Sequence, residues 1–161
     1  MKTIKFLFAL LVCTALFASC KKSDDDVLKT EDYLIFGHFY GECVGENCVE
    51  IFKLEDDKLF EDSNDTYPGS SDYYNANFTQ LSSDLFDLAN GLEDVFPMGL
   101  LDEEEVVLGI PDAGDWGGLY IEYNKNGVRD FWLLDQMKSN VPEAYHDFID
   151  AVNEKIQAVN Q

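Results

Sequence analysis

The chain has 161 residues and a formal charge of −21, from 32 acidic and 11 basic residues; 46% of it is hydrophobic and 14% aromatic. That much apolar material excludes a disordered tail, and that much negative charge excludes a nucleic-acid-binding protein, because like charges repel. The balance suits cations, basic partners or simple solubility outside a cell.

The first stretch, 1–19, reads as a secretory signal. Lys2 and Lys5 supply a positive start, and Phe6 to Phe17 is an apolar run of signal length, too short to span a membrane. It ends in Ala18-Ser19, small residues that a signal peptidase accepts, and Cys20 follows directly. Phe17-Ala18-Ser19-Cys20 resembles a bacterial lipobox, with Phe17 where Leu is more usual. The resemblance implies cleavage before Cys20 and diacylation of its thiol. Two or three acyl chains hold a protein on a membrane where one does not, at roughly 0.8 kcal/mol per buried methylene. The other reading is an ordinary secreted protein cleaved near Ala18. Lys21 stands next to the anchor, and Asp24-Asp25-Asp26 follows in the acidic tether 20–30. That triplet is similar to the export tag of Bacteroidota surface lipoproteins. It implies an outer membrane lipoprotein, displayed at the cell surface in preference to the periplasmic face. A solvated linker is the plainer alternative.

Residues 31–161 are then one domain's worth of chain, long enough for a real core. Tyr33 to Tyr40 alternates like a strand, with Leu34, Phe36 and His38 on one face and Ile35, Gly37 and Phe39 on the other. Cys43 to Cys48 is a hairpin tip, Val49 to Leu54 the return strand, Asp56-Asp57 a turn, and Lys58 to Glu61 a third strand. In an oxidising compartment Cys43 and Cys48 are expected to pair as a disulfide; a metal site is the weaker alternative, since the pair supplies two ligands and His38 is the one histidine near it in sequence.

A polar loop runs from Asp62 to Asn77. The spacing of Phe78, Leu81, Leu85, Leu88, Leu92 and Val95 then predicts a helix, starting at Asn77 to Gln80 and stopped by Pro97. A loop holds Met98 to Glu105, and Val106 to Leu108 is a short strand. A glycine-rich loop, 112–118, precedes a hairpin of Leu119–Tyr123 and Val128–Leu133. Asn126-Gly127 between them tolerates the positive φ of a tight turn. A last helix begins near Val141-Pro142, with Tyr145, Phe148, Ile149, Val152, Ile156 and Val159 as its apolar stripe. The order predicts an α+β domain: an antiparallel sheet of five to six strands with two helices on one face.

Gly41-x-Cys43, then Cys48-Val49-Glu50-Ile51, followed by helix, Asp-rich loop, hairpin and helix, resembles small uncharacterised bacterial domains that open with a CxGxCP-type hairpin. Here the cysteines are further apart and Val49 stands in place of Pro. The resemblance implies a fold and no activity.

No nucleophile elbow, zinc-protease motif, phosphate loop or dinucleotide fingerprint is present. Of the two histidines, His38 reads as a half-buried strand residue and His146 as a solvated one. Asp112 and Asp115, among Gly114, Gly117 and Gly118, form a weak calcium candidate or a turn bonded to its own backbone. Trp116 is expected to cap the core or to offer a stacking surface for a sugar. Tyr73 and Tyr74 sit in the composition that binding loops favour. These five residues are the candidate ligand contacts; no catalytic residue is nominated, and the lipid at Cys20 is the only cofactor expected. The composite expectation is a non-enzymatic envelope lipoprotein that binds a protein or glycan. The alternatives are a small envelope hydrolase using Asp and Glu carboxylates over an aromatic floor such as Trp116 or Trp132, and an enzyme inhibitor presenting the Cys43–Cys48 tip.

Overall fold

A computed structural model describes residues 32–161, so the signal, Cys20 and the acidic tether lie outside the described residues. The alternating segments form β1 (Tyr33–Phe39), β2 (Val49–Glu55) and β3 (Lys58–Asp62) as a meander. Tyr33 pairs with Glu55 and Phe39 with Val49. Asp56, at φ 53°, turns β2 into β3. The second hairpin joins β6 (Gly118–Lys125) to β7 (Val128–Asp135) through Asn126 and Gly127, both at positive φ, as a tight two-residue turn requires.

Two short strands complete the sheet: β4 (Phe78–Gln80) and β5 (Val107–Leu108). The order is β4-β3-β2-β1-β6-β7-β5, seven strands where five to six were expected. All pairs are antiparallel except the edge pair β5–β7, which is parallel. The two central strands of the meander and the hairpin, β1 and β6, meet side by side with Gly37 opposite Tyr120 and Phe39 opposite Gly118. A Cβ at Gly118 would lie 2.2 Å from the Phe39 ring, so the ring occupies the place where a side chain would stand.

The apolar spacing from Phe78 to Val95 does not make one helix. Phe78 to Gln80 extend along β3, and Leu81 donates its N–H to the Leu59 carbonyl at 2.8 Å. Helix α1 spans only Ser83–Ala89, capped by the Ser82 hydroxyl accepting from Leu85 N. Gly91, at φ 84°, then breaks it, and Glu93–Val95 is a single 3-10 turn. The Met98–Asp102 segment, expected as loop, is another. Helix α2 spans His146–Val159 and buries the expected stripe. His146 is not simply solvated: its Nε2 lies 2.9 Å from the Val141 carbonyl oxygen. Lys155 on α2 donates from Nζ to the carbonyls of Leu88 and Asn90 at 2.9 and 3.0 Å. It thereby supplies the positive charge that the last turn of α1 lacks.

The sheet is covered on both faces. On the helix side, Phe36, Phe52, Ile121 and Trp132 pack with Phe148, Val152 and Ile156 of α2 and with Ala89 of α1. On the other side Ile35, Phe39, Ile51, Tyr120 and Leu133 form a second, smaller core. No helix covers it. The loop between β3 and β4 does, by laying Tyr74 and Ala76 over the strands. Full burial of one such side chain stabilises a fold by roughly 1.5–3 kcal/mol, so Tyr74 anchors this loop to the sheet.

Candidate functional site

The outer face is organised around Glu122 of β6, which has no exposed surface. A carboxylate in that position must find donors, because a buried unpaired charge is costly. It accepts from the Tyr33 hydroxyl at 2.8 Å, the Tyr120 hydroxyl, and Arg129 Nε at 2.7 Å. All four residues point to one face because they are in register across β1, β6 and β7. The Tyr33 and Tyr120 hydroxyls titrate well above their ordinary range: burial is the main cause, and the adjacent carboxylate adds to it.

The network continues into the covering loop. Tyr120 accepts the Tyr74 backbone N–H at 3.0 Å, and the Tyr74 hydroxyl donates to Asp62 Oδ2 at 2.7 Å. Asp62, also buried, accepts from the backbone of Asn77 and Asp65 as well. Tyr73 donates its hydroxyl to the Arg129 carbonyl at 2.6 Å, while the Arg129 guanidinium lies 3.9 Å from the centre of its ring. Loop and sheet are thus joined by side chains at both ends.

Between them runs an open groove of about 360 Å³ lined by Tyr33, Ile35, Lys53, Tyr74, Phe78 and Arg129, among others. That volume is within the range of small-ligand clefts, about 300–1,000 Å³. Lys53 Nζ lies 4.7 Å from the centre of the Tyr33 ring and 5.9 Å from that of Phe78, and pairs with Glu55 at 2.9 Å. Arg129 commits Nε to Glu122, and its half-exposed side chain lines the groove. The groove therefore offers ring faces and hydrogen-bond donors.

A second assembly sits at the other end of β1. Asp112, in left-handed backbone at φ 63°, accepts on Oδ2 from Gly41 N at 2.8 Å and from the Tyr67 hydroxyl at 3.0 Å. Its own loop is closed by Asp112 N donating to the Gly117 carbonyl. One carboxylate thus ties together three loops. The bonds run across the chain, not to the loop's own backbone as a plain turn would have them. Burial and the neighbouring Asp112 push the Tyr67 hydroxyl up to about 12. Gly117 allows the approach: a Cβ there would lie 2.3 Å from the Tyr40 ring. Asp115 is exposed, and among the described residues no group of three or more His, Cys, Asp and Glu side chains is placed to hold a metal ion.

Trp116 does not cap the core; it is 60% exposed. Tyr73 is half exposed on Arg129, whereas Tyr74 is buried, so the pair splits into a rim residue and a core residue. The five candidate contacts accordingly fall into two places: Asp112, Asp115 and Trp116 in the Asp112 loop, Tyr73 and Tyr74 over the outer sheet face. Sequence reasoning missed Glu122, Arg129, Tyr33 and Lys53. The signal it held was alternation within the strands, which places them on one face once the pairing is known.

Cys43 and Cys48 form a disulfide, with Cα atoms 5.5 Å apart, and Val44 stands fully exposed between them. Tyr40 N donates to the Cys48 carbonyl and anchors the tip to the end of β1. His38, beside it, bonds the Asn47 carbonyl oxygen, and burial lowers its pKa.

Carboxylates and aromatic side chains share two grooves: Asp56, Glu93 and Asp94 with Phe86, and Asp72 with Tyr67, Tyr73 and Tyr74. A further groove of about 480 Å³ is lined by Glu50, Glu61, Asp62 and Asp65 with no aromatic side chain. Trp132 lies in the helix-side core, away from any such floor. Among the described residues no helix is long and apolar enough to cross a membrane. Comparison with protein-family models, curated proteins and solved structures finds no match to this chain.

Proposed function

We propose that this chain is a lipid-anchored, non-enzymatic binding module of the bacterial outer envelope that takes a protein or glycan partner in the outer-face groove. The observation that carries the binding reading is the groove itself, where aromatic faces and two cationic side chains converge on a rigid sheet. The anchor reading rests on Phe17-Ala18-Ser19-Cys20 behind an apolar run. The disulfide at Cys43–Cys48 accords with a chain exported to an oxidising compartment. Two measurements test the proposal. Cys20→Ala releases the protein from membranes, and retention of that variant in the membrane fraction overturns the anchor. Glycan and envelope-protein arrays probed with the full chain give partners whose capture is lost on Phe78→Ala; capture unaffected by that change moves the binding surface elsewhere.

The exposed disulfide tip favours a second reading, an inhibitor that presents Val44 as a rigid plug. Changing both cysteines to Ser abolishes inhibition on that reading and leaves groove binding intact on the first.

A further inference from the structure

Resting on the groove reading, we infer that its ligand is a glycan bearing a carboxylate, a uronic-acid type of sugar. Beyond residue 31 the chain has only six Lys and Arg residues, and two of them, Lys53 and Arg129, line this one groove. No Asp or Glu lines it. Three other grooves among the described residues do carry carboxylates: one is lined by Glu50, Glu61, Asp62 and Asp65, another by Asp56, Glu93 and Asp94, and a third includes Asp72 beside three tyrosines. On a chain of charge −21 this groove has no carboxylate in its lining, and its two cations are each held from outside it by one carboxylate, Glu55 and Glu122.

Both cations hold a carboxylate already, Lys53 that of Glu55 and Arg129 that of Glu122, yet neither is saturated. An ammonium has three donors and a guanidinium five in a planar fork. Glu122 takes Nε alone, and the Arg129 side chain is 41% exposed, so guanidinium donors remain for a second anion. Tyr73 stacked on the guanidinium keeps those donors in one plane. Between the cations the floor and wall are Tyr33, Tyr74 and Phe78. Flat rings suit the C–H face of a sugar ring, and the donors suit its carboxylate and hydroxyl oxygens. An acidic peptide brings several charges close together and meets the repulsion of the whole domain. A sugar acid brings one charge per ring. At physiological ionic strength repulsion from distant carboxylates is screened beyond about 8 Å, and Glu55 and Glu122 offset the two cations locally, so a single carboxylate is met by their unused hydrogen-bond donors and not by net positive charge.

The test uses the full chain in detergent and isothermal titration with three probes: a galacturonic-acid oligosaccharide, its full methyl ester, and a glutamate-rich peptide. The expected result is acid binding at least tenfold tighter than ester, with the ratio shrinking as salt is raised. Lys53→Gln, with its melting temperature checked, weakens acid binding more than ester binding, so that most of that ratio is lost. Equal binding of acid and ester overturns the carboxylate inference and leaves the binding-module reading standing. Tighter binding of the peptide than of the sugar acid overturns the glycan assignment. Absence of binding by acid and ester alike overturns the inference, while a protein partner that is lost on Phe78→Ala would still uphold the module.

Discussion

Arg129 Nε lies 2.7 Å from Oε1 of Glu122, and the two partners differ sharply: the arginine side chain is 41% exposed, the glutamate not at all. The arginine can relax into water if the pair is broken; the glutamate cannot. Arg129→Ala is therefore expected to cost about 3 kcal/mol, the order seen when one member of a buried pair is removed. Glu122→Gln added to it restores part of the loss, with a coupling on the order of 1–3 kcal/mol in a double-mutant cycle. Urea denaturation of the four proteins measures it, and strict additivity shows the two residues to be uncoupled.

Stability is expected to fall at both ends of the pH scale, for different groups. Tyr67 has a folded pKa of about 12 against 10.0 unfolded, and Tyr33, Tyr74 and Tyr120 are raised further. Between those values the unfolded chain binds fewer protons than the folded one, so stability drops as pH rises. Their contribution is intact below pH 10 and lost above it, through about 12 for Tyr67. Tyr67→Phe flattens that part of the slope in melting curves taken from pH 9 to 12.

His38 acts in the other direction. Its folded pKa lies below 6.5 because burial disfavours the imidazolium. Below pH 6.5 the unfolded chain takes up the proton first, so stability falls as pH drops through the folded value. The expected outcome is a smaller loss between pH 6.5 and 5 for His38→Gln than for the parent; an identical loss assigns the acid sensitivity to other groups.

Asp112→Ala removes the acceptor for Gly41 N and the Tyr67 hydroxyl and leaves alanine in left-handed backbone. Two lost hydrogen bonds at about 1 kcal/mol each, with about 1 kcal/mol of backbone strain, predict a loss of roughly 3 kcal/mol. Asn keeps an acceptor and tolerates positive φ, so Asp112→Asn costs less than half as much. Thermal melts rank the two, and equal losses show that the carboxylate charge itself holds the loops.

Opening the Cys43–Cys48 disulfide is expected to lower stability by about 2 kcal/mol, the loop-entropy value for so small a ring. The double Ser variant and the reduced parent should have the same urea midpoint. Tyr33, Ile35 and Lys53 line the groove from the end of β1 and β2 opposite the disulfide, so ligand affinity there is unaffected.

The strand pairs β1–β2–β3 and β6–β7 are legible in the sequence because alternation and turn chemistry are local. Asn126-Gly127 and Asp56 mark their turns without reference to anything distant. The stripe of α2 is legible for the same reason. Phe78 to Val95 misleads because helical spacing also arises when a strand residue, a short helix and a 3-10 turn each bury their apolar side chains against one sheet. Gly91 was the local warning. The covering loop misleads differently: Tyr74 lies among polar residues, and only the presence of Tyr120 and Asp62 beneath it makes it a core residue.

Charge, disulfide pairing, signal-like start and the run of strands and helices are all set by composition and by neighbours in sequence. The choice of Glu122 among 32 acidic residues, its meeting with Tyr33 and Arg129, and the knot of loops at Asp112 were decided by tertiary structure alone. The Tyr33 contact spans 89 positions and the two Asp112 contacts 71 and 45, and a contact between distant segments leaves no periodicity in either one; the Arg129 contact, seven positions away, follows only once the hairpin's face is turned to Tyr33.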